Sequence, residues 1–206
     1  KAHISPVISP LRYAEDAIDV VYECIAHNIP MSCITAAQAG ATAPATLAGI
    51  LTQSLAETLA SLVMVQTISK GFPMVFSNWP FVIDLRTGAF AGGSGETAVL
   101  NAASAQVSNW LDLPSGVASS MTDAKAIDAQ YGMEKGMTSI AAALSGGNLI
   151  YESSGMTASL LGASFAGFVL DDEMHSNSYR ALRGIEVNQA TLGFETICEA
   201  VLGEGH

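Results

Sequence analysis

Five times along the chain a short apolar run gives way to a polar or glycine-rich loop and then to a long helical pattern. The runs lie near residues 4–9, 29–35, 72–78, 115–120 and 148–152, and the helical patterns cover 13–27, 44–69, 96–111, 127–144 and 166–202. Short strands without polar alternation, each followed by a helix, are what parallel βαβ units require, because their crossover helices cover the sheet. The repetition therefore predicts a single α/β domain over residues 1–206. Within it, Pro44 is expected in the first turn of the second helix and Gly71 just past its end.

Five units fall short of the eight that close a barrel. An open doubly wound sheet would suit the length, but the first strand starts almost at residue 1 with no lead-in. The expectation is a piece of something longer.

Half of the residues are hydrophobic, 13% are charged, and the mean hydropathy is +0.36. The most apolar stretch, residues 43–68, is interrupted by Thr46, Thr52, Gln53, Ser54, Glu57 and Thr58. It falls short of the ~20 nearly uninterrupted apolar residues of a spanning helix, and residues 1–6 have no apolar signal-peptide core. No membrane association is expected. The apolar content points instead to burial on several sides, including contacts in a homo-oligomer.

The net charge is −11, from 8 basic and 19 acidic residues. Without clustered basic residues there is no footprint for nucleic acid. An acidic balance suits a cationic ligand, although most acidic surfaces serve only solubility. Cys24, Cys33 and Cys198 are odd in number and far apart, which reads as buried thiols in a reducing cytoplasm.

Each strand ends in polar residues: Ser9, Thr35, Ser77 and Asn78, Ser119 and Ser120, Glu152 and Ser153. Catalytic groups gather at such carboxyl ends in parallel α/β folds, though strand ends are also polar simply because they meet solvent. Glu152 follows an apolar lead-in, which would hold a lone carboxylate at the mouth. The run from Gly93 to Ala98 matches G-x-G-x-x-A but neither follows a strand directly nor carries a phosphate-binding lysine. It reads as a flexible loop, with Glu96 favouring the next helix N-terminus. His3, His27, His175 and His206 stand apart, so no metal-ligand spacing exists. No G-x-S-x-G elbow marks a nucleophile. Asp171, Asp172 and Glu173 cannot share one helix face and read as a solvated or interface segment.

Six stretches resemble the trimethylamine methyltransferase family in its own order. They are residues 8–13 (Ile-Ser-Pro-Leu-Arg-Tyr), 40–49, 84–88 (Asp-Leu-Arg-Thr-Gly), 122–130, 170–173 and 203–206 (Gly-Glu-Gly-His). They cover nearly the whole chain, and members of the family are usually more than twice as long. The resemblance implies a (β/α)8 TIM-type barrel, present here as a partial barrel of about five βα units, that passes a methyl group from an amine to the Co(I) corrinoid (cobalamin) of a partner protein, with no cofactor bound directly by the barrel. It also implies a departure. The archaeal trimethylamine enzyme places pyrrolysine at a strand's carboxyl end, aligned near Ser120–Thr122, where this chain has Met121. Family members without pyrrolysine act on quaternary amines such as glycine betaine.

Elementary chemistry agrees with a quaternary substrate. A quaternary ammonium leaves as a neutral tertiary amine, so the protein has to supply only position and electrostatics. Carboxylates and aromatic faces hold such a cation, and Glu152, Asp123, Tyr151 and Trp79 are available near strand ends. The expected pocket is lined by His3, Gln38, Asp123, Gln130 and Glu152, with a small methylated amine as ligand. Two alternatives stay open: a non-catalytic module binding small ammonium solutes, and an unrelated α/β-barrel lyase or transferase.

Overall fold

The computed structural model describes residues 2–201 and 203, with only the backbone of His3. In chain order the elements are β1 (Ala2–Ile4), β2 (Val7–Ile8), β3 (Arg12–Tyr13), α1 (Glu15–Ala26), β4 (Met31–Thr35), β5 (Gln38–Ala39) and α2 (Leu47–Ile68). There follow β6 (Met74–Asn78), β7 (Phe81–Val82), α3 (Gly95–Trp110), β8 (Gly116–Ala118) and α4 (Ala129–Leu144). The last are β9 (Leu149–Tyr151), β10 (Met156–Thr157), β11 (Gly162–Ala163), α5 (Phe165–Leu182) and α6 (Phe194–Val201).

Five of these strands form the frame. β1, β4 and β6 pair in parallel, as do β8 and β9, and a single parallel bridge from Phe76 to Ser115 joins the two groups. The strands thus lie side by side in chain order. A doubly wound sheet reverses its strand order at a switch point; this arrangement does not. The described residues form a mixed α/β fold without a closed barrel.

The register sorts the side chains onto two faces, because successive residues of a strand alternate. One face carries Met31, Cys33, Met74, Val117 and Ile150. Helices cover it: Met31, Cys33 and Met74 pack with Val21, Cys24 and Val65, and Val117 with Ala105 and Ala142. The opposite face carries Ile34, Ala118 and Tyr151, which meet Trp79 and Met121 beyond the strand ends. Burial away from any charge partner pushes the Cys33 thiol up to about 12, so it packs as a small apolar group.

Several boundaries differ from the sequence pattern. The first strand covers residues 2–4, not 4–9, because Pro6 has no N–H to continue a ladder. Val7 and Ile8 instead fold back antiparallel onto Tyr13 and Arg12. Glu57, buried in the middle of α2, ties down this hairpin by accepting from the Ser9 hydroxyl (2.7 Å) and the Leu11 N–H (2.9 Å). α2 starts after Pro44, with Thr46 as its cap accepting from the Gly49 N–H. The last helical pattern divides into α5 and α6, with Gly184 in the left-handed region (φ 63°) where α5 ends.

α2 is long and apolar enough to cross a membrane by length and composition, at a mean hydropathy of 1.4. Four of the polar residues within it, Ser54, Glu57, Thr58 and Ser61, are buried, and Thr58 meets Thr35 of β4 at 3.1 Å, whereas Thr52 is exposed. The most exposed of the large apolar side chains, Phe165, Leu161 and Ile185, lie in the C-terminal quarter of the chain, and Trp110 at the end of α3 is also more than four-fifths exposed.

Gly116 allows the third and fifth frame strands to approach. A Cβ there would lie 2.6 Å from both Ser77 Oγ and the Tyr151 ring. Gly116→Ala is expected to cost about 1–3 kcal/mol through overpacking, measured as a lowered denaturant midpoint at unchanged m-value. An unchanged midpoint would show that the strands separate freely at this point.

Candidate functional site

The groups of chemical interest gather where β8 and β9 end, under the loops that lead to α3, α4 and α5. The cap of α4 is Asp128, whose side chain accepts from the Tyr131 N–H, and this fixes the helix so that Tyr131, Glu134, Lys135 and Thr138 are buried. Thr138 reaches back to the end of β8: its hydroxyl accepts from the Ser120 N–H (3.1 Å) and its carbonyl from the Ser119 hydroxyl (2.8 Å). Ser120 is itself left-handed (φ 60°).

A buried ion pair holds this corner. Lys135 Nζ lies 2.8 Å from Asp171 Oδ2, and both side chains are almost wholly removed from solvent. The same carboxylate oxygen accepts from the Tyr131 hydroxyl (2.9 Å) and the Gly155 N–H (2.6 Å), while Lys135 stands 5.0 Å from the Tyr131 ring centre. Asp171 Oδ1 has no hydrogen-bond partner among the described residues. Burial draws the Lys135 ammonium below the ordinary lysine range, opposed by Asp171, and raises the Tyr131 hydroxyl. One turn further along α5, His175 Nε2 lies 3.4 Å from Ser120 Oγ, and burial lowers its pKa from the usual histidine value. His175 also lines a cavity of about 220 Å³ between α4, β9 and α5, together with Ser139, Ser153, Ser178 and Tyr179.

Asp123 organises the loops. Its carboxylate accepts from the Gly92 N–H (2.9 Å), the Gly93 N–H (3.3 Å) and the Ser159 hydroxyl (2.8 Å). Three strand-end loops meet at one side chain. Glu134 supports it by accepting from the Asp123 N–H (2.8 Å) and the Thr122 hydroxyl (2.7 Å), and the Gln130 amide donates to the other Glu134 oxygen (2.7 Å). The glycine-rich loop is therefore pinned rather than flexible. A Cβ at Gly93 would collide with the Glu134 carboxylate, so the G-G pair serves this close approach. Ser94 caps α3, with Glu96 in its first turn as expected.

Aromatic rings complete the mouth. Trp79 packs 5.4 Å from Tyr151 and 6.3 Å from Phe81, and Phe81 meets Phe90 edge-on at 4.7 Å. The Trp79 indole N–H donates to the Gly116 carbonyl (2.9 Å), and the ring itself is buried in the cluster with Phe81, Ala118 and Met121. Met121 is fully buried against this cluster.

Of the five pocket residues expected from sequence, Asp123 and Gln130 come together, both on Glu134. Gln38 begins β5 beside Phe81, where its carbonyl accepts from the N–H groups of Ala41, Thr42 and Ala43. Glu152 follows β9 directly, half-buried and left-handed (φ 62°). The side chain of His3 lies outside the described residues. The sequence reading missed Glu134, Lys135, Ser159 and the role of Asp171, which is buried rather than solvated. Helical spacing carried the signal: Tyr131, Lys135, Ser139 and Ala142 share one stripe of α4, and Gly167, Asp171, His175 and Ser178 share one stripe of α5, each with a lone charge of opposite sign.

The family model for trimethylamine methyltransferase (MTTB) matches residues 2–206. The chain belongs to the trimethylamine methyltransferase family. It is 34% identical over 195 residues to trimethylamine methyltransferase MttB of Methanosarcina barkeri, covering 95% of this chain and 39% of that protein. It is 31% identical over 199 residues to the glycine betaine methyltransferase of Desulfitobacterium hafniense, covering 97% of this chain and 41% of the relative. The chain thus spans about two fifths of these trimethylamine methyltransferase family relatives.

Two measurements test the corner. Lys135→Met leaves the Asp171 charge buried and unpaired and is expected to cost about 3–5 kcal/mol of stability; adding Asp171→Asn should recover part of that loss. Two losses that simply add would show the pair is not coupled. The second concerns pH. Because the folded pKa of His175 lies below its unfolded value near 6.5, the unfolded state takes up the extra proton first. Stability should therefore be fully present above about pH 6.5 and fall as pH drops towards the folded pKa. His175→Gln should flatten that part of the profile.

Proposed function

We propose that the chain forms part of a (β/α)8 methyltransferase barrel that takes a methyl group from a quaternary (or tertiary) methylated amine such as glycine betaine and passes it to a corrinoid on a partner protein. The observation that carries the reading is the Trp79–Tyr151 ring pair at the carboxyl ends of the strands, in a chain whose family includes a glycine betaine methyltransferase. A quaternary ammonium has no N–H to donate, so it binds aromatic faces through the attraction of charge to the ring quadrupole, worth ~0.5–2 kcal/mol per ring.

When docked, the corrinoid would supply a Co(I) nucleophile. The residues of this chain do the rest of the work in the proposal. Trp79 and Tyr151 hold the ammonium, and the Gly116 carbonyl fixes the indole. Glu152 and Asp123 contribute negative charge near the site, and Gln38 and Gln130 hydrogen-bond the polar end of the substrate. As the carbon–nitrogen bond breaks, its electron pair stays on nitrogen and the amine leaves neutral. No side chain needs to move a proton. The fit is with the amine half of the reaction; the corrinoid protein is an expectation from family membership, and a homo-oligomeric state one from the apolar content of the chain.

The test uses the complete barrel polypeptide with cob(I)alamin and glycine betaine. Loss of the Co(I) absorbance with appearance of the methylated cobalamin spectrum is expected. Betaine binding without any spectral change would favour a non-catalytic ammonium-binding module. Trp79→Ala should weaken betaine binding by ~0.5–2 kcal/mol and Glu152→Gln by ~1–3 kcal/mol, read by calorimetry; an unchanged affinity in either variant removes that residue from the site.

A further inference from the structure

The aromatic mouth is closed. Trp79 and Phe81 are each more than nine-tenths buried, and Leu160, at the tip of the hairpin formed by β10 and β11, packs against the cluster they form with Ala118 and Met121. Its neighbour Leu161 is 91% exposed, so the tip sends one leucine inward and the next outward.

The backbone of this tip is unusual. Ala158, Ser159 and Leu160 are three consecutive non-glycine residues in the left-handed region, at φ 50°, 56° and 69°. Each carries a steric penalty there, and such conformations persist only where the surroundings impose them. The imposing contacts are few and local. The Ser159 hydroxyl donates to Asp123 (2.8 Å), the Ser159 N–H to the Thr122 carbonyl (3.0 Å) and the Ala158 N–H to the Ala124 carbonyl (2.8 Å). Glycines flank both legs, with Gly155 left-handed (φ 73°) before β10 and Gly162 in β11. The base is fixed differently, by the Gly155 N–H donating to Asp171 in the buried ion pair. A firmly anchored base, glycines in both legs and a strained tip on three hydrogen bonds make a hinged element.

We propose that the β10–β11 hairpin is the gate of the strand-end pocket, with Leu160 as its plug and the Ser159–Asp123 hydrogen bond as its latch. Opening withdraws Leu160 from the aromatic cluster and exposes the ring faces to a small quaternary ammonium; closing shuts the ligand from water. Asp123 also holds Gly92 and Gly93, so release of the latch is felt by the loop leading into α3. The inference rests on reading the aromatic cluster as the ammonium site, but its test does not.

Trp79 and Trp110 are the two tryptophans of the sequence, and Trp110 is exposed. A Trp110→Phe, Cys198→Ser form makes Trp79 the sole tryptophan, excited selectively over the tyrosines at the red edge of the absorption band, and leaves the buried Cys24 and Cys33 as the remaining thiols. In that form Ser159→Ala removes the latch, and Ala124→Cys with Ala158→Cys allows a disulfide lock across the existing backbone contact. Acrylamide quenching of Trp79 is expected to rise at least threefold on unlatching. It should fall severalfold below the parent on oxidation of the lock and return on reduction. Equal quenching in the parent and in the oxidised lock overturns the gate, as does unchanged quenching on unlatching in a variant with a native circular dichroism spectrum. If Ser159→Ala does not fold, the oxidised and reduced lock decide alone. Tetramethylammonium, added to the unlatched form, separates the two ideas: gated quenching without any effect of tetramethylammonium retains the gate and refutes the ammonium pocket.

Discussion

The Lys135–Asp171 pair is the contact on which the chemistry-bearing end of this fold depends. Two full charges in a site closed to water are costly, and they are tolerated only when they meet each other and further donors. Here the Tyr131 hydroxyl and the Gly155 N–H complete the shell around one carboxylate oxygen. α4, α5 and the loop after β9 are thereby held in one relative position. Such a pair adds little net stability compared with an apolar core, but a displaced partner would leave a charge stranded. The arrangement trades stability for a single geometry, and that geometry places Ser120, His175 and the hairpin base.

Asp123 plays the corresponding part on the other side of the mouth, with a different consequence. Its carboxylate already accepts three protein donors from two loops, so on the proposed reading it would act on a ligand mainly as a charge rather than as a hydrogen-bond acceptor. The same side chain that contributes negative potential also latches the hairpin. Substrate electrostatics and loop position are thus joined in one group.

Four of the five frame strands were legible because each is an apolar run followed by a helix with its own side-chain cap. The first lies at residues 2–4 rather than 4–9, and the helix after it starts from Ala14 without a side-chain cap. What sequence could not show were elements two residues long: β2 with β3, and β10 with β11, are held by contacts to Glu57 and Asp171 that lie far away in the chain. Asp171 itself was obscured by its acidic neighbours, since only one position of three adjacent ones can point inward. Asp123 was legible as important through its motif. Its partners were not, because a glycine pair and a serine in separate loops leave no pattern. The direction of Glu152 was equally beyond reach, since a left-handed residue breaks the alternation on which its lead-in relied.

Selectivity on the proposed reading follows from what the mouth withholds. A net charge of −11 draws cations of every kind, but this field is screened over ~8–10 Å in physiological salt and cannot separate one amine from another. A protonated amine carries N–H donors that lose water on entry and must find acceptors, at ~1–3 kcal/mol for each one left unpaired. The Trp79–Tyr151 wall offers ring faces, and the nearest organised carboxylate already has protein donors of its own. A quaternary ammonium leaves no such debt, because it has no N–H to satisfy. The aromatic mouth would therefore favour fully methylated nitrogen not by binding it more strongly than water does, but by failing to compensate the alternatives.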